Sequence, residues 1–348
     1  MSKNVYVGMS GGVDSSVTAA LLKQQGYQVT GVYMKNWSQD LPGFVCPWKE
    51  DFQDAKRVAV QLGIDFKMYD FETEYRQKVV DYMVREYQAG RTPNPDVMCN
   101  QEVKFKLFLE TALEDGADMI ATGHYARITD GHLLIGLDKG KDQSYFLYRV
   151  NESALKRSLM PIGELQKTEV RKLAKQFGLA TADKKDSQGI CFVGKVGIKD
   201  FLLSEVGPQP HGDIIDQNGV KIGEHDGALF YTIGQRHGLQ VGGGLPYYVT
   251  GKDVQSNQVF VTTDLQDDQL WSKQLKLADI HWINGEPDLT KDYAVRTRYR
   301  APLVAVNRIS KTNKHLTLDL AEDVRAVTSG QSAVIYDGDI CLGGGIVV

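Results

Sequence analysis

Three stretches of the chain combine residue types that do chemistry. The first runs from Gly8 through Met9, Ser10, Gly11, Gly12, Val13 and Asp14 to Ser15 and Ser16. Its adjacent glycines permit a tight turn whose backbone N–H groups close on an anion. Ser10, Ser15 and Ser16 add hydroxyl donors, and the helix expected from Val13 adds the positive end of its dipole. Such a turn takes a phosphate or pyrophosphate. Asp14 within it suits either a Mg²⁺ bridging those phosphates or the helix dipole alone. The second stretch, Gly90 to Asn100, holds two prolines that fix a shaped loop. Arg91, Asn94, Asp96 and Asn100 crowd Cys99 with hydrogen-bonding groups, and a helix expected from about Glu102 favours its thiolate. A lone cysteine is as readily an inert buried residue. The third, Lys184 to Phe192, puts Cys191 after a glycine and downstream of two lysines. It reads equally well as a core strand after a solvated charge run. Gly189 to Lys195 has the glycine spacing of a Walker A loop, but Val196 stands where that loop needs a hydroxyl.

The elements that position these residues alternate. Val5–Gly8, Val29–Met34, Asp65–Tyr69 and Asp118–Thr122 read as strands, and Val13 to about Gln25, Asp51–Leu62, Glu72–Tyr87, Glu102–Glu114 and Thr168–Gly178 as helices. That order implies a parallel sheet with helices on both faces. Ligands of such sheets sit beyond the carboxyl ends of the strands, so Gly8–Ser15, Met34 and Gly123–His124 are expected at one edge. After about Phe201 helices become scarce and glycine and β-branched residues rise. From Lys276 onward short β-rich runs recur between turn residues, as in a small barrel or sandwich. The expected parts are 1–200, 201–269 and 270–348.

Composition limits the partners. A net charge of −4 over 348 residues predicts no general affinity for nucleic acid. A local patch remains: Lys291 to His315 carries seven Lys or Arg against one acidic residue, interleaved with Tyr293 and Tyr299. A solvated sheet face would read the same way. No apolar run approaches the roughly 20 residues that span a bilayer, and the first strand follows Met1 too closely for a leader. A cytoplasmic protein is expected. The four cysteines form no Cys-x-x-Cys pair, which argues against zinc and iron–sulfur sites.

Several motifs occur together and in order. They are the glycine–serine loop, Gly90-Arg91-Thr92-Pro93-Asn94-Pro95-Asp96-Val97-Met98-Cys99-Asn100, Ala121 to Tyr125, Lys141 to Leu147, Asp186 to Phe192 and Cys341 to Gly345. The loop resembles that of the PP-loop ATP pyrophosphatases, and the full set resembles the tRNA-specific 2-thiouridylase family, end to end. The resemblance implies an α/β PP-loop catalytic domain, a small β-rich central domain and a C-terminal β-barrel. It implies that Gly8, Met9, Ser10, Gly11, Gly12, Val13, Asp14 and Ser15 bind ATP, supplied with Mg²⁺, and that Met34 and Gly123 lie near the adenosine. Asn94, Pro95 and Asp96 would hold the target base. Cys99 would be the nucleophile and Cys191 the persulfide carrier, while Cys46 and Cys341 stay structural. His124, Lys141, Asp142, Gln143, Arg298, Tyr299 and Gln331 would contact tRNA. The implied reaction is 2-thiolation of the wobble uridine in the tRNAs for Lys, Glu and Gln. Sulfur would come from a cysteine desulfurase, directly or through a carrier protein.

The chemistry is self-consistent. Oxide is a poor leaving group; adenylating a carbonyl oxygen converts it into AMP, which leaves readily. The incoming sulfur must be nucleophilic near neutral pH, as a persulfide is. Cys99 attacks the inner sulfur of that persulfide, or resolves an adduct after sulfur has reached the base; the residues leave both orders open. Asp96 is equally suited to proton transfer and to accepting a hydrogen bond. An amidating ligase would leave two cysteines in polar settings unused, an RNA-binding regulator would leave the anion loop unused, and so would a thiol oxidoreductase.

Overall fold

The computed structural model describes residues 2–41, 45–185, 197–239, 241, 242, 244 and 246–348. Cys191, its neighbours from 186 to 196, and Gly243 lie outside the described residues.

The N-terminal half is built on a five-stranded parallel sheet of β1 (Asn4–Gly8), β2 (Gln28–Lys35), β3 (Asp65–Asp70), β4 (Met119–Ala121) and β7 (Ser158–Leu159), in the order β3-β2-β1-β4-β7. The chain moves from β1 to β2 on one side and later returns to β4 on the other. The crevice beyond the ends of β1 and β4 is therefore the switch point where such sheets bind ligands. The glycine–serine loop follows β1 and Gly123 follows β4, so both lie there.

The helices are α1 (Val13–Gln24), α2 (Trp48–Leu62), α3 (Glu72–Tyr75), α4 (Asp81–Gln88), α5 (Pro95–Met98), α6 (Phe108–Glu114), α7 (Glu152–Lys156), α8 (Lys167–Gln176) and α9 (Ile198–Val206). Wide π-helical turns join α3 to α4 (Arg76–Val80) and α5 to α6 (Cys99–Leu107). The helix expected from Glu102 therefore begins earlier, at Pro95. Asn94 caps it, its side chain accepting from the Val97 N–H at 3.4 Å. Pro95 takes the first helical position, where its missing N–H costs nothing. Only Arg91–Asn94 of the expected loop is irregular. Cys99 sits inside the helix rather than before it.

Four strands, β8 (Gly212–Ile215), β9 (Lys221–His225), β10 (Tyr248–Asp253) and β11 (Gln258–Thr262), make the central sheet. The C-terminal part is a closed six-stranded barrel of β12 (Trp271–Trp282), β13 (Tyr293–Arg296), β14 (Val304–Lys311), β15 (Leu316–Arg325), β16 (Ser332–Asp337) and β17 (Ile340–Val347), sealed by pairing of β12 with β17. A hairpin of the N-terminal half, β5 (Ala126–Thr129) and β6 (His132–Ile135), extends this barrel sheet through Leu133↔Cys341 and Leu134↔Ile340. One hydrophobic core runs through all three parts. It includes Tyr75 and Phe108, then Phe201, Ile214 and Val259, then Val334, Tyr336 and Cys341.

Candidate active site

The anion loop is shaped by close packing. Gly11 has φ +73°, and a Cβ there would stand 2.3 Å from the Asp51 carbonyl oxygen of α2. A Cβ on Gly123 would stand 2.8 Å from the Ser15 nitrogen, and one on Gly8 would stand 3.0 Å from Cε of Met34. Gly8, Met34, Gly123 and the loop therefore meet at one edge, as their sheet positions require. The Ser15 hydroxyl lies 3.2 Å from the Ser10 N–H, which donates to it, and itself donates to the Gly12 carbonyl. Ser16 is fully buried and donates to the same carbonyl at 2.8 Å. Its hydroxyl braces the turn from below, which leaves exposed Ser10 and the backbone to face a ligand.

Asp14, in the first turn of α1, is engaged by two side chains that sequence reasoning missed. The Lys167 Nζ lies 2.7 and 2.9 Å from its two oxygens, and the Tyr125 hydroxyl donates at 2.8 Å. A signal for Lys167 existed: it is the first residue of α8, where a cation opposes the helix dipole.

The cysteine-bearing helix lies beside the loop. Phe108 comes within 3.5 Å of the Gly8 Cβ position, and Phe105 packs on the His124 ring with centroids 5.7 Å apart. Cys99 is 1 % exposed. Asp96 precedes it by three residues, on the same helix face. The Asn100 amide nitrogen donates to the Phe146 carbonyl at 3.2 Å.

The approach to that helix is clamped by the barrel. Thr92 N–H donates to the Ser329 carbonyl at 2.8 Å, and the Gln331 amide donates to the Thr92 and Pro93 carbonyls at 2.8 and 3.3 Å. Gly330, at φ +92°, packs so closely that a Cβ would stand 2.8 Å from the Thr92 nitrogen. Arg91 forms an ion pair with Glu86 at 2.6 Å, and the Thr92 hydroxyl lies 3.3 Å from that of Thr232 in the central part. All three parts thus meet at this loop.

The remaining residues divide by burial. The carboxylate of buried Asp142 accepts from the Gly136 N–H and from Ser144, and forms a 2.6 Å ion pair with Arg296 of β13. The Gln143 side chain accepts from the Tyr125 N–H at 2.9 Å. His124 is buried; desolvation, helped by the Lys104 charge, holds its pKa well below the usual imidazole value, and Nδ1 lies 2.8 Å from the Thr122 hydroxyl. Lys141 is half-buried. Arg298 and Arg300 are exposed, and Tyr299 stacks between Phe146, at 4.4 Å, and the Arg300 guanidinium, at 5.0 Å. Arg308 and Lys314 also face outward, whereas Arg296 and Lys311 are taken up by Asp142 and Glu286. Cys46 and Cys341 are buried thiols whose pKa values burial pushes up.

The expected Cys191 site lies outside the described residues; Lys184, from the same expected stretch, lies within them. Lys184 reaches Asp51 and Asp54 of α2 at 2.8 and 2.7 Å. Burial opposes its charge, but those carboxylates outweigh it and raise its pKa. Because the Asp51 backbone abuts Gly11, Lys184 is tied to the helix that borders the anion loop. Among the described residues, no cluster of His, Cys, Asp or Glu is built to hold a metal, and no helix is long and apolar enough to cross a membrane.

Residues 3–195 match the family model of a tRNA methyl transferase HUP domain, 199–263 that of a tRNA methyl transferase PRC-barrel domain, and 272–347 that of an aminomethyltransferase beta-barrel domain. The chain is 49% identical over 349 residues to the tRNA-specific 2-thiouridylase MnmA of Listeria monocytogenes serotype 4b (strain CLIP80459), covering 99% of this chain and 94% of that one. It is 48% identical to the proteins of the same name from Geobacillus thermodenitrificans and Staphylococcus aureus, with the same coverage. Among solved structures it is similar to a 4-thiouridine synthetase in complex with RNA and ATP (20% identity, TM-score 0.39, 59% of this chain and 50% of that chain). It is also similar to NMN synthetase of Francisella tularensis (18% identity, TM-score 0.34, 53% of this chain and 66% of that chain).

Proposed function

Since the chain belongs to the tRNA-specific 2-thiouridylase family, whose members are sulfurtransferases, we propose that it replaces the 2-oxygen of the wobble uridine by sulfur in the tRNAs for Lys, Glu and Gln. The observation that carries this reading is the meeting of the anion loop and the Cys99 helix at one sheet edge, with Phe108 against Gly8. We assign activation of the oxygen and delivery of sulfur to the crevice between that loop and that helix.

ATP binds with its phosphates on the loop from Gly8 to Ser15 and its adenosine near Met34 and Gly123. Asp14 would supply one hard oxygen to a Mg²⁺ accompanying the nucleotide, since a single carboxylate completed by phosphates suits that ion. Magnesium would neutralise phosphate charge there. The uracil O2 attacks the α-phosphorus, the bond to the bridging oxygen breaks, and pyrophosphate leaves with the electron pair. Sulfur then bonds to C2, and the former carbonyl oxygen departs in AMP. The sulfur arrives as a persulfide on Cys191, charged by a cysteine desulfurase or a carrier protein. Either Cys99 thiolate attacks the inner sulfur and frees hydrosulfide, or the terminal sulfur bonds to C2 first and Cys99 then displaces it. Both orders end in a Cys99–Cys191 disulfide, which an external dithiol reduces. Asp96, one helical turn from Cys99, receives the thiol proton in our assignment.

The base must leave the anticodon stack to reach this crevice. Asn94, Pro95 and Asp96 then receive it. The outward-facing Arg298, Arg300, Arg308 and Lys314, with Tyr299, supply phosphate and stacking contacts, and Lys141 and Gln331 border the same approach. The test is nucleoside mass spectrometry of unmodified Glu tRNA incubated with protein, ATP-Mg²⁺ and a persulfide source. ATP-dependent 2-thiouridine that disappears in Cys99→Ser and Cys191→Ser supports the reading. AMP formation without thiolated base would move the activity to another acceptor.

A further inference from the structure

We infer that Arg149 is a positioning residue of the sulfur-transfer site: it locks the wide helical turn that begins at Cys99 to the rim of the C-terminal barrel. The inference rests on the role assigned to Cys99 above. Three observations carry it.

First, the Arg149 side chain is 11% exposed and all of its nitrogens are engaged. Nε donates to Oε1 of Gln101, two residues past Cys99. Nη1 donates to the Asp279 carbonyl at 3.1 Å, and Nη2 lies 3.0 Å from the Asp279 carboxylate. One planar guanidinium thus joins the Cys99 helix to β12, and its rigid fork holds both partners in a single geometry.

Second, both partners stand on unusual backbone. Gln101 lies in the π-helical turn Cys99–Leu107, a form that is rare and is frequent at functional sites. Asp279 has φ +48°, a conformation that residues other than glycine rarely adopt. It stands where the pairing of β12 with β17 shifts register, between Ala278 and His281. Bulges of this kind re-aim side chains; here the Asp279 carbonyl and carboxylate both turn to Arg149. Gln101 is fixed at its other end as well. Its amide nitrogen donates to Glu102 at 2.8 Å, and Glu102 pairs at 3.3 Å with Lys78 of the other π-helical turn.

Third, the contact completes a bracket around the nucleophile. Upstream of Cys99, Gln331 of the barrel holds the Thr92 and Pro93 carbonyls. Downstream, Asn100 donates to the Phe146 carbonyl, and the neighbouring Tyr145 hydroxyl donates to the Ser332 carbonyl of β16 at 2.8 Å. Arg149 adds the second downstream tie. Its loss frees the wide turn to change register, and a thiol displaced by about 1 Å can cost on the order of 100-fold in rate.

The test uses Arg149→Ala, Gln101→Ala and the double variant in the full-length protein. Gln101→Ala leaves Arg149 paired with Asp279, so it probes the clamp even where Arg149→Ala does not fold. Formation of 2-thiouridine on Glu tRNA is followed at steady state, and iodoacetamide labelling of Cys46, Cys99 and Cys341 is followed by peptide mass spectrometry. Each single variant should lower kcat about tenfold or more, with KM for tRNA and ATP changed less than about threefold. The double variant should fall no further, because the arginine acts through the glutamine. Cys99, 1 % exposed in the intact site, should label faster in all three, while Cys46 and Cys341 keep their wild-type rates. Losses that multiply in the double variant, losses in KM rather than kcat, or faster labelling of all three thiols overturn the inference and leave Arg149 a general tie between the barrel and the rest of the chain. A wild-type protein that makes no 2-thiouridine would instead sink the sulfur-transfer reading. Labelling then decides the clamp alone, and an unchanged Cys99 rate overturns it.

Discussion

Asp142 shows how a residue's chemistry is settled by its depth. Its place in the Lys141–Gln143 motif suggests an RNA contact, yet its carboxylate is enclosed and shared between Ser144, Gly136 and Arg296. Replacing it by Asn leaves the Arg296 charge buried without its counter-charge. A loss of about 3–5 kcal/mol is expected, seen as a lower urea midpoint. An unchanged midpoint with weakened tRNA binding would contradict the internal role. His124 gives a pH signature. Burial depresses its folded pKa, so between that value and the unfolded value of about 6.5 the unfolded chain binds a proton that the folded chain refuses. Its contribution is intact above about pH 6.5 and is lost as pH falls, at up to about 1.4 kcal/mol per pH unit. His124→Gln should flatten the stability profile between pH 7 and 5 by that amount. His225 and His281, depressed by burial in the same way, supply the slope that remains. The types of these residues were legible in the sequence; their burial was not, because it depends on partners up to 154 positions away.

At the scale of elements, periodicity located β1 to β4 and most of the helices but not β5 to β11, and the loop between β1 and α1 was plain from its glycines and hydroxyls. The helix carrying Cys99 was misplaced because two prolines read as breakers. Pro95 instead starts the helix, with Asn94 as its cap. Strands β12 and β17 were only partly visible, the latter because three adjacent glycines weaken its β pattern. Those glycines permit close approach: a Cβ on Gly344 would stand 2.2 Å from the Ala333 carbonyl oxygen. The contact between Gly330, Gln331 and the loop before Cys99 makes a testable claim. Gly330→Ala forces a side chain into Thr92 at a positive φ and should displace that loop. Sulfur transfer is expected to fall about 10–100-fold while ATP affinity is unchanged. Equal losses in both would place the effect elsewhere.

The whole molecule behaves as one body because its parts share a core and a sheet. The composition shift after about Phe201 announced β-rich parts, but nothing local announced that β5 and β6 join the barrel, since the paired residues are more than 200 positions apart. A continuous apolar core predicts a single calorimetric transition rather than three; separate melting of the barrel would contradict it. Removing residues 270–348 should expose the β6 edge and the Asp142 carboxylate, and give an aggregating product. The central claim concerns the oxygen that sulfur replaces. It is tested most directly with Glu tRNA carrying ¹⁸O at the wobble uridine O2, followed by mass spectrometry of the released AMP. Adenylation of that oxygen predicts one ¹⁸O in AMP for each 2-thiouridine formed. Unlabelled AMP, with the label in water, would contradict it.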